Sequence, residues 1–437
     1  MTARKRSPLL TLGIPVLVFI VVIGVLSLVN RSQGSSAGTT KPPDVGANPR
    51  NTEQLIASLQ RRVRAQPGNA SGYAALGDAY LQRTRETGDF GFYVRSERTF
   101  DAALRRDPRS QEAVVGKGTL ALSRHDFRAG LRQGERALRL APETVRPYAV
   151  IVDGQIELGR YADAGRSLQT MEDRKPNLGS YSRISYFREL HGDLPGAIDA
   201  MSLAVSAGAG NPENVAYVQS LLGDLQMDSG HVAAAQLAYR QALASVPGHL
   251  PAEAGLARVD VARGRLGPAA RRLRRVTEQL PLPTYVTPLA EIELARGRRA
   301  QASEDLGLVR VERRLLQAAG TRTDVDLALF EADHGSPRRA VRFGRSVFAA
   351  APSVRSADAL GWALTRAGHP REGLRYARRA LRLGSVDPLF HYHAGITAMK
   401  VGQPALARRE LRRALRLNPS FSPYHARRAK RALRGLS

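Results

Sequence analysis

No cysteine occurs in the 437 residues. That excludes disulfides, thiolate zinc sites, a cysteine nucleophile and a lipid anchor on an N-terminal cysteine. Aromatic residues make up only 6% of the chain, and Trp362 is the single tryptophan. A large globular core is therefore hard to build, whereas a thin layer of Ala, Leu and Val remains open. Acidic residues are outnumbered 39 to 66 by Lys and Arg, for a formal charge of +27. Lysine is nearly absent, being confined to Lys5, Lys41, Lys117, Lys175, Lys400 and Lys430. So lopsided a ratio reads as the codon bias of a GC-rich bacterial genome more than as selection for phosphate-binding forks. The sequence contains no Walker loop, no G-x-S-x-G elbow and no dinucleotide fingerprint, so the usual hydrolase and nucleotide chemistries lack their residues.

One long apolar run is present, from Pro8 to Val29 without a charge. It is long enough to span roughly 30 Å of hydrocarbon as a helix, and longer than the core of a signal peptide. Arg4, Lys5 and Arg6 precede it and only Arg31 follows closely. The positive-inside bias predicts a single-pass signal anchor over 8–29, with residues 1–7 cytoplasmic and the remainder outside the membrane. The runner-up is secretion after cleavage near Ser35, Ser36 and Ala37. Residues 30–50 are small, polar and rich in Gly and Pro, and read as a flexible tether.

Beyond residue 50 the chain is periodic. Pro142 and Pro176 stand 34 residues apart, as do Pro247 and Pro281, and Gly118, Gly223 and Gly395 each precede a proline by 24 residues. That period marks stacked helix–turn–helix units. The segments Tyr73, Leu76, Gly77, Tyr80 and Leu222, Gly223, Gly230, Ala235, Tyr239, Ala242, Pro247 resemble the tetratricopeptide repeat (TPR), whose pattern is W-x2-L-G-x2-Y, then A-x3-F, then P. The resemblance implies an all-α, right-handed TPR superhelix (an α-solenoid), which follows the N-terminal transmembrane helix expected from the apolar run. A capping half repeat is expected over 51–67, about ten repeats over 68–419, and a C-terminal capping helix over 420–437. Three irregularities interrupt the phase: an insertion carrying Phe90, Phe92 and Tyr93, a break between Ser206 and Pro212, and an overlong helix from Leu306 to Gly320.

In TPR arrays the first helix of each pair lines a concave groove that usually receives a peptide. Carried over position by position, the resemblance implies groove-facing Asp153, Glu157, Tyr186, Tyr217, Asp224, Asp228, Arg258, Arg355, Trp362, Arg366, Tyr392 and Lys400. The middle of this set is acidic and its C-terminal end basic and aromatic, with Trp362 and Tyr392 the best pair for stacking. The paired Asn and Lys/Arg of the chaperone-tail clamp are not supported, because Asp78, Gly116 and Asp153 stand at the comparable places.

Second helices carry arginine at three-to-four spacing, as in Arg371, Arg375, Arg378, Arg379 and Arg382, and Arg408, Arg409, Arg412, Arg413 and Arg416, which places them on one outer face. Residues 367–437 alone hold 16 basic against three acidic side chains. His125, His191, His231, His334 and His369 fall at interhelical turns, and His391 and His393 are two residues apart, on different faces of a helix. No catalytic, cofactor-binding or metal-binding residue is expected. The sequence therefore predicts a non-enzymatic scaffold at the bacterial cell envelope that binds a protein or peptide in its groove. The alternative is an electrostatic adaptor that meets anionic lipid or cell-wall polymer through the arginine face; nucleic acid is not an expected partner.

Overall fold

The computed structural model describes residues 51–208, 210–318 and 325–436. The expected anchor over 8–29 and tether over 30–50 lie outside them. Among the described residues no helix is long and apolar enough to cross a membrane.

The described residues form 22 α-helices and no strand. A single helix, α1 (Thr52–Ala65), precedes ten antiparallel hairpins. These pair α2 (Ala70–Thr87) with α3 (Gly91–Arg106), α4 (Gln111–Ser123) with α5 (Phe127–Leu140), α6 (Arg146–Glu157) with α7 (Tyr161–Arg174), and α8 (Leu178–Leu190) with α9 (Leu194–Ala207). Next come α10 (Pro212–Asp228) with α11 (Val232–Ser245), α12 (Leu250–Ala262) with α13 (Leu266–Gln279), and α14 (Pro283–Ala295) with α15 (Arg299–Ala318). The last three pair α16 (Val325–His334) with α17 (Pro337–Ala350), α18 (Val354–Arg366) with α19 (Pro370–Ala380), and α20 (Pro388–Lys400) with α21 (Pro404–Leu417). A closing helix, α22 (His425–Arg434), ends the array.

The repeated small residues make this stacking possible. Phe100 of α3 is fully buried between two glycines: a Cβ on Gly77 would sit 2.5 Å from its ring, and one on Gly116 2.2 Å. Tyr239 of α11 is held likewise between Gly223 of its own hairpin and Gly255 of the next, at 2.4 and 2.2 Å. At these two places one aromatic serves two successive units. The turn inside nine of the ten hairpins carries a left-handed residue. Gly159 supplies it with φ +69°, and its neighbour Arg160 donates from its backbone N–H to Gln155 O. His125 takes the same role with φ +59°, the one positive φ at a non-glycine among the described residues.

The aromatic insertion packs inward: Phe90 and Tyr93 are buried, and Phe92 stacks on Tyr80 at 5.8 Å. The overlong helix α15 runs for 20 residues. The closing helix is more than a charged cover, since His425, Ala426 and Ala429 are buried beneath it.

The array coils far enough to touch itself. A Cβ on Gly159 would lie 2.5 Å from Pro352 O, and one on Gly192 2.3 Å from Gly384 O. Asn418 Nδ2 donates to Met227 O at 3.0 Å, across 191 residues. One hydrophobic cluster joins Leu81, Phe90, Phe100 and Leu120 to Leu282, Tyr285, Leu289 and Phe330. Early and late hairpins therefore form two stacked layers, and polar groups from both converge on the inner face.

Candidate inner face of the array

First helices present the inner face: each packs on its own second helix, and most also pack on the first helix of a neighbouring hairpin. At the junction of the layers, Tyr186 of α8 donates to Glu157 of α6 at 3.3 Å. Arg355 of α18 arrives from the later layer, its guanidinium acting on Tyr186, Asp326 and Glu157. Burial pushes the Glu157 carboxyl up to about 7 against the pull of Arg355.

Farther along, Arg258 of α12 forks between Asp224 and Asp228 of α10, each at 2.6 Å, and Tyr239 donates to Asp224 at 2.7 Å. The Arg258 side chain keeps 40% of its surface open, so the fork faces accessible space. Glu189 at the end of α8 meets the same region. Burial, followed by the like charge of Asp228, pushes its carboxyl up to about 8, with Asp387 and Asp224 adding to the effect. Asp387, just before α20, is raised to about 6 by burial and by Asp228. Glu189, Asp224, Asp228 and Asp387 are all half-buried rather than sealed. Carboxyls this close in a concave face repel one another and disfavour ionisation. At the early end, Arg85 lies 5.1 Å over the Tyr217 ring and donates to Asn214 at 2.9 Å.

The twelve residues expected from sequence do not form one surface. Tyr186, Asp224, Asp228, Arg258 and Arg355 converge as described, with Glu157, only 3% exposed, buried beneath Tyr186. Tyr217 is 7% exposed and lies beneath Arg85. Asp153 is buried and held by a two-pronged fork from fully buried Arg183, both contacts at 2.9 Å, so its carboxylate is spent inside the fold. Trp362 and Tyr392 need correction as an exposed stacking pair. Each is 2% exposed, and their rings, 5.8 Å apart, pack in a core with Ala429 of the closing helix. Arg366 donates to Ala332 O at 2.9 Å and leans over Trp362, while Lys400 stands exposed. Glu189, Asp387 and Arg85 are the members that the repeat register alone misses. Glu189 and Asp387 stand at or just beyond helix ends, and only the coiling of the array brings them to the acidic cluster.

A second polar cluster gathers under the closing helix. Trp362 stacks on His393 with centroids 4.3 Å apart and donates from Nε1 to Asp333 Oδ1 at 3.1 Å. His393 Nδ1 lies 2.8 Å from Asp358, and His425 Nε2 lies 3.3 Å from Asp333 Oδ2. Burial works against the Asp333 carboxylate, yet the His425 ring beside it holds the group down to about 2.

Family models described as tetratricopeptide repeat match residues 226–292 and 359–420. A cellulose synthase 1 operon protein C from Komagataeibacter xylinus is 27% identical over 210 residues, covering 48% of this chain and 13% of that protein. The chain thus spans about an eighth of the length of this relative. Among solved structures, a thermophilic TPR protein from Thermus thermophilus is 19% identical, covering 44% of this chain and 98% of that one with a TM-score of 0.39. A human IFIT1 dimer with m7Gppp-AAAA is 14% identical over 76% of this chain and 78% of that one, with a TM-score of 0.49. The two matched segments, set within an array of ten helical hairpins, support reading the chain as a tetratricopeptide-repeat protein.

Proposed function

We propose that the chain is a non-enzymatic scaffold whose concave inner face binds a protein or peptide segment bearing basic side chains. The observation that carries this reading is the convergence of half-buried Glu189, Asp224, Asp228 and Asp387 on one face, with Arg258 bound to Asp224 and Asp228 and Arg355 acting on Glu189 and Asp387. A Lys or Arg side chain entering there relieves carboxyl repulsion and finds acceptors already in place. The exterior is strongly basic, so a cationic segment is repelled by the outer surface and held only inside, which favours specificity. Solenoids offer extended concave faces of this kind to partners. We place the array outside the membrane behind a single-pass anchor over 8–29, on the charge asymmetry around that segment.

The test is fluorescence anisotropy of a labelled Lys/Arg-containing peptide library against a Glu/Asp-containing one, on the array from residue 51 onward. Basic peptides should bind, and Glu189→Gln with Asp387→Asn should weaken them about tenfold, roughly the loss of one charge-assisted contact. Equal binding of both libraries, or no response to the two substitutions, refutes the reading.

A second reading is favoured by the exposure of Arg371, Arg375, Arg378 and Arg379 on α19, of Arg382 in the turn that follows it, and of Arg409, Arg412, Arg413 and Arg416 on α21. It makes the outer face a contact for anionic lipid or envelope polymer. Vesicle binding that fades by about 0.3 M salt marks this mode, because exposed charges are screened over a Debye length of a few ångströms there.

A further inference from the structure

We propose that Asp333, His393 and His425 form a binding site for a first-row divalent transition metal of the zinc class, clamping the closing helix α22 to the last hairpins. The three residues come from three helices, α16, α20 and α22, and their ligand atoms all lie within 4.8 Å of one another.

Each side chain is already oriented for this task. Asp358 accepts from His393 Nδ1 through both oxygens, at 2.8 and 3.0 Å, which assigns the proton to Nδ1 and leaves the Nε2 lone pair facing outward. That Nε2 is buried, on a residue 1% exposed, and has no hydrogen-bond partner. A carboxylate behind a histidine whose other nitrogen is free is the arrangement that orients imidazole ligands on metals. Trp362 stacks flat on the His393 ring and its Nε1 engages Asp333 Oδ1, so both are fixed and Oδ2 remains for an ion. His425, 4% exposed, sets Nε2 at 3.3 Å from that Oδ2, and its Nδ1 has no partner either.

Two buried ring nitrogens without partners each carry a desolvation cost of about 1–3 kcal/mol, which packing leaves uncompensated. A cation between the rings and the carboxylate removes one such cost and replaces the His425–Asp333 contact with two bonds. Metal–ligand bonds of about 2.0–2.2 Å require donors roughly 3.3–3.5 Å apart, so no pair, all lying within 4.8 Å, has to close by more than about 1.5 Å. Two imidazoles and one carboxylate suit zinc, cobalt or nickel, whereas calcium and magnesium prefer oxygen alone. His334 is not a ligand: its Nε2 is engaged by Glu291 at 3.1 Å.

The test uses the whole array, with any affinity tag removed and metal stripped by chelator, titrated with Co(II) and Zn(II). One equivalent of Co(II) should bind with the visible bands of a four- or five-coordinate nitrogen–oxygen site, and Zn(II) should displace it and raise the melting temperature. His393→Gln and His425→Gln should abolish the bands. Asp358→Asn should weaken binding about 10–100-fold, and His231→Gln, at an exposed histidine, should change nothing. Absence of stoichiometric Co(II) and Zn(II) binding by the unaltered protein overturns the proposal, as do bands that persist in both histidine variants. The unaltered protein decides the question even where a variant folds poorly.

Discussion

The Tyr161 hydroxyl accepts a hydrogen bond from Val354 N at 2.8 Å, joining residues 193 positions apart. Tyr161 begins the second helix of an early hairpin and Val354 begins the first helix of a late one, so this bond ties the two layers together. Val354 is only 1% exposed, and its N–H belongs to the first turn of α18, where no intrahelical acceptor is available.

Tyr161→Phe keeps the ring beneath Arg382 but removes the acceptor. An unpaired buried N–H costs about 1–3 kcal/mol. The expected result is a lower unfolding free energy by that amount, with faster amide exchange over residues 354–357 and unchanged exchange in α2 and α3. Exchange that stays the same at Val354 would show that the layers are held without this bond.

Tyr239 between Gly223 and Gly255 gives a second prediction. A methyl group on Gly255 meets the ring at 2.2 Å, and the ring is itself locked by Gly223 and by its bond to Asp224. Gly255→Ala should destabilise by about 1–3 kcal/mol through overpacking. Gly223→Leu, which inserts more volume at the same ring, should lower the melting temperature further. Combining Gly255→Ala with Tyr239→Ala should recover part of the first loss, because the clash disappears with the ring. Additive losses in that pair would place the strain elsewhere.

These contacts explain what the sequence makes legible. The 34-residue period and the Gly-to-Pro offsets arise from packing between adjacent helices, so they report hairpin pairing and the positions of Gly77, Gly223, Gly361 and Gly395. Coiling arises instead from small rotations summed over many units, and no local period encodes the meeting of Gly159 with Pro352. The acids of α10 stand at inner-face positions and are readable one at a time, but Glu189 and Asp387 join them only through that coiling. Trp362 reads as a groove residue from register alone; α22 covers it. The two-residue spacing of His391 and His393 argues against a shared metal, and those two do part, His391 toward Glu410 and His393 toward Asp358. The neighbours of His393 come from other helices, and sequence spacing along one helix says nothing of them.

The raised carboxyls make stability fall as pH rises. For Glu189, displaced from 4.5 to about 8, the folded state retains its proton over a range where the unfolded chain has lost it. Its contribution is therefore complete below about pH 4.5 and is lost progressively up to pH 8. Glu157, raised to about 7, acts in the same direction. The unfolding free energy should decline between pH 5 and 8 by about 1 kcal/mol or less per unit for each group, since the full linkage value is about 1.4 and Glu189 is only half-buried. Glu189→Gln should flatten this slope and raise the melting temperature at pH 8. A slope unaltered by the substitution would mean that Glu189 ionises normally in the fold.

Arg183 and Asp153 supply the last prediction, which separates a structural ion pair from a binding residue. Arg183 is fully buried, donates from Nε and Nη2 to the two oxygens of Asp153, and reaches Gly179 O through Nη1 at 2.8 Å. Removing one partner strands the other charge in a dry layer, at a cost of about 3–5 kcal/mol. Arg183→Met should therefore destabilise strongly, as should Asp153→Ala. Replacing both by Met and Leu should restore much of the stability, because the desolvation of two ions is then avoided as well. In a double-mutant cycle the coupling between the two sites should exceed about 1 kcal/mol, the upper range for an exposed pair. Peptide binding by the double variant should match the unaltered array, since neither side chain is accessible from the inner face. A double variant that folds but no longer binds would return Asp153 to the partner-binding surface.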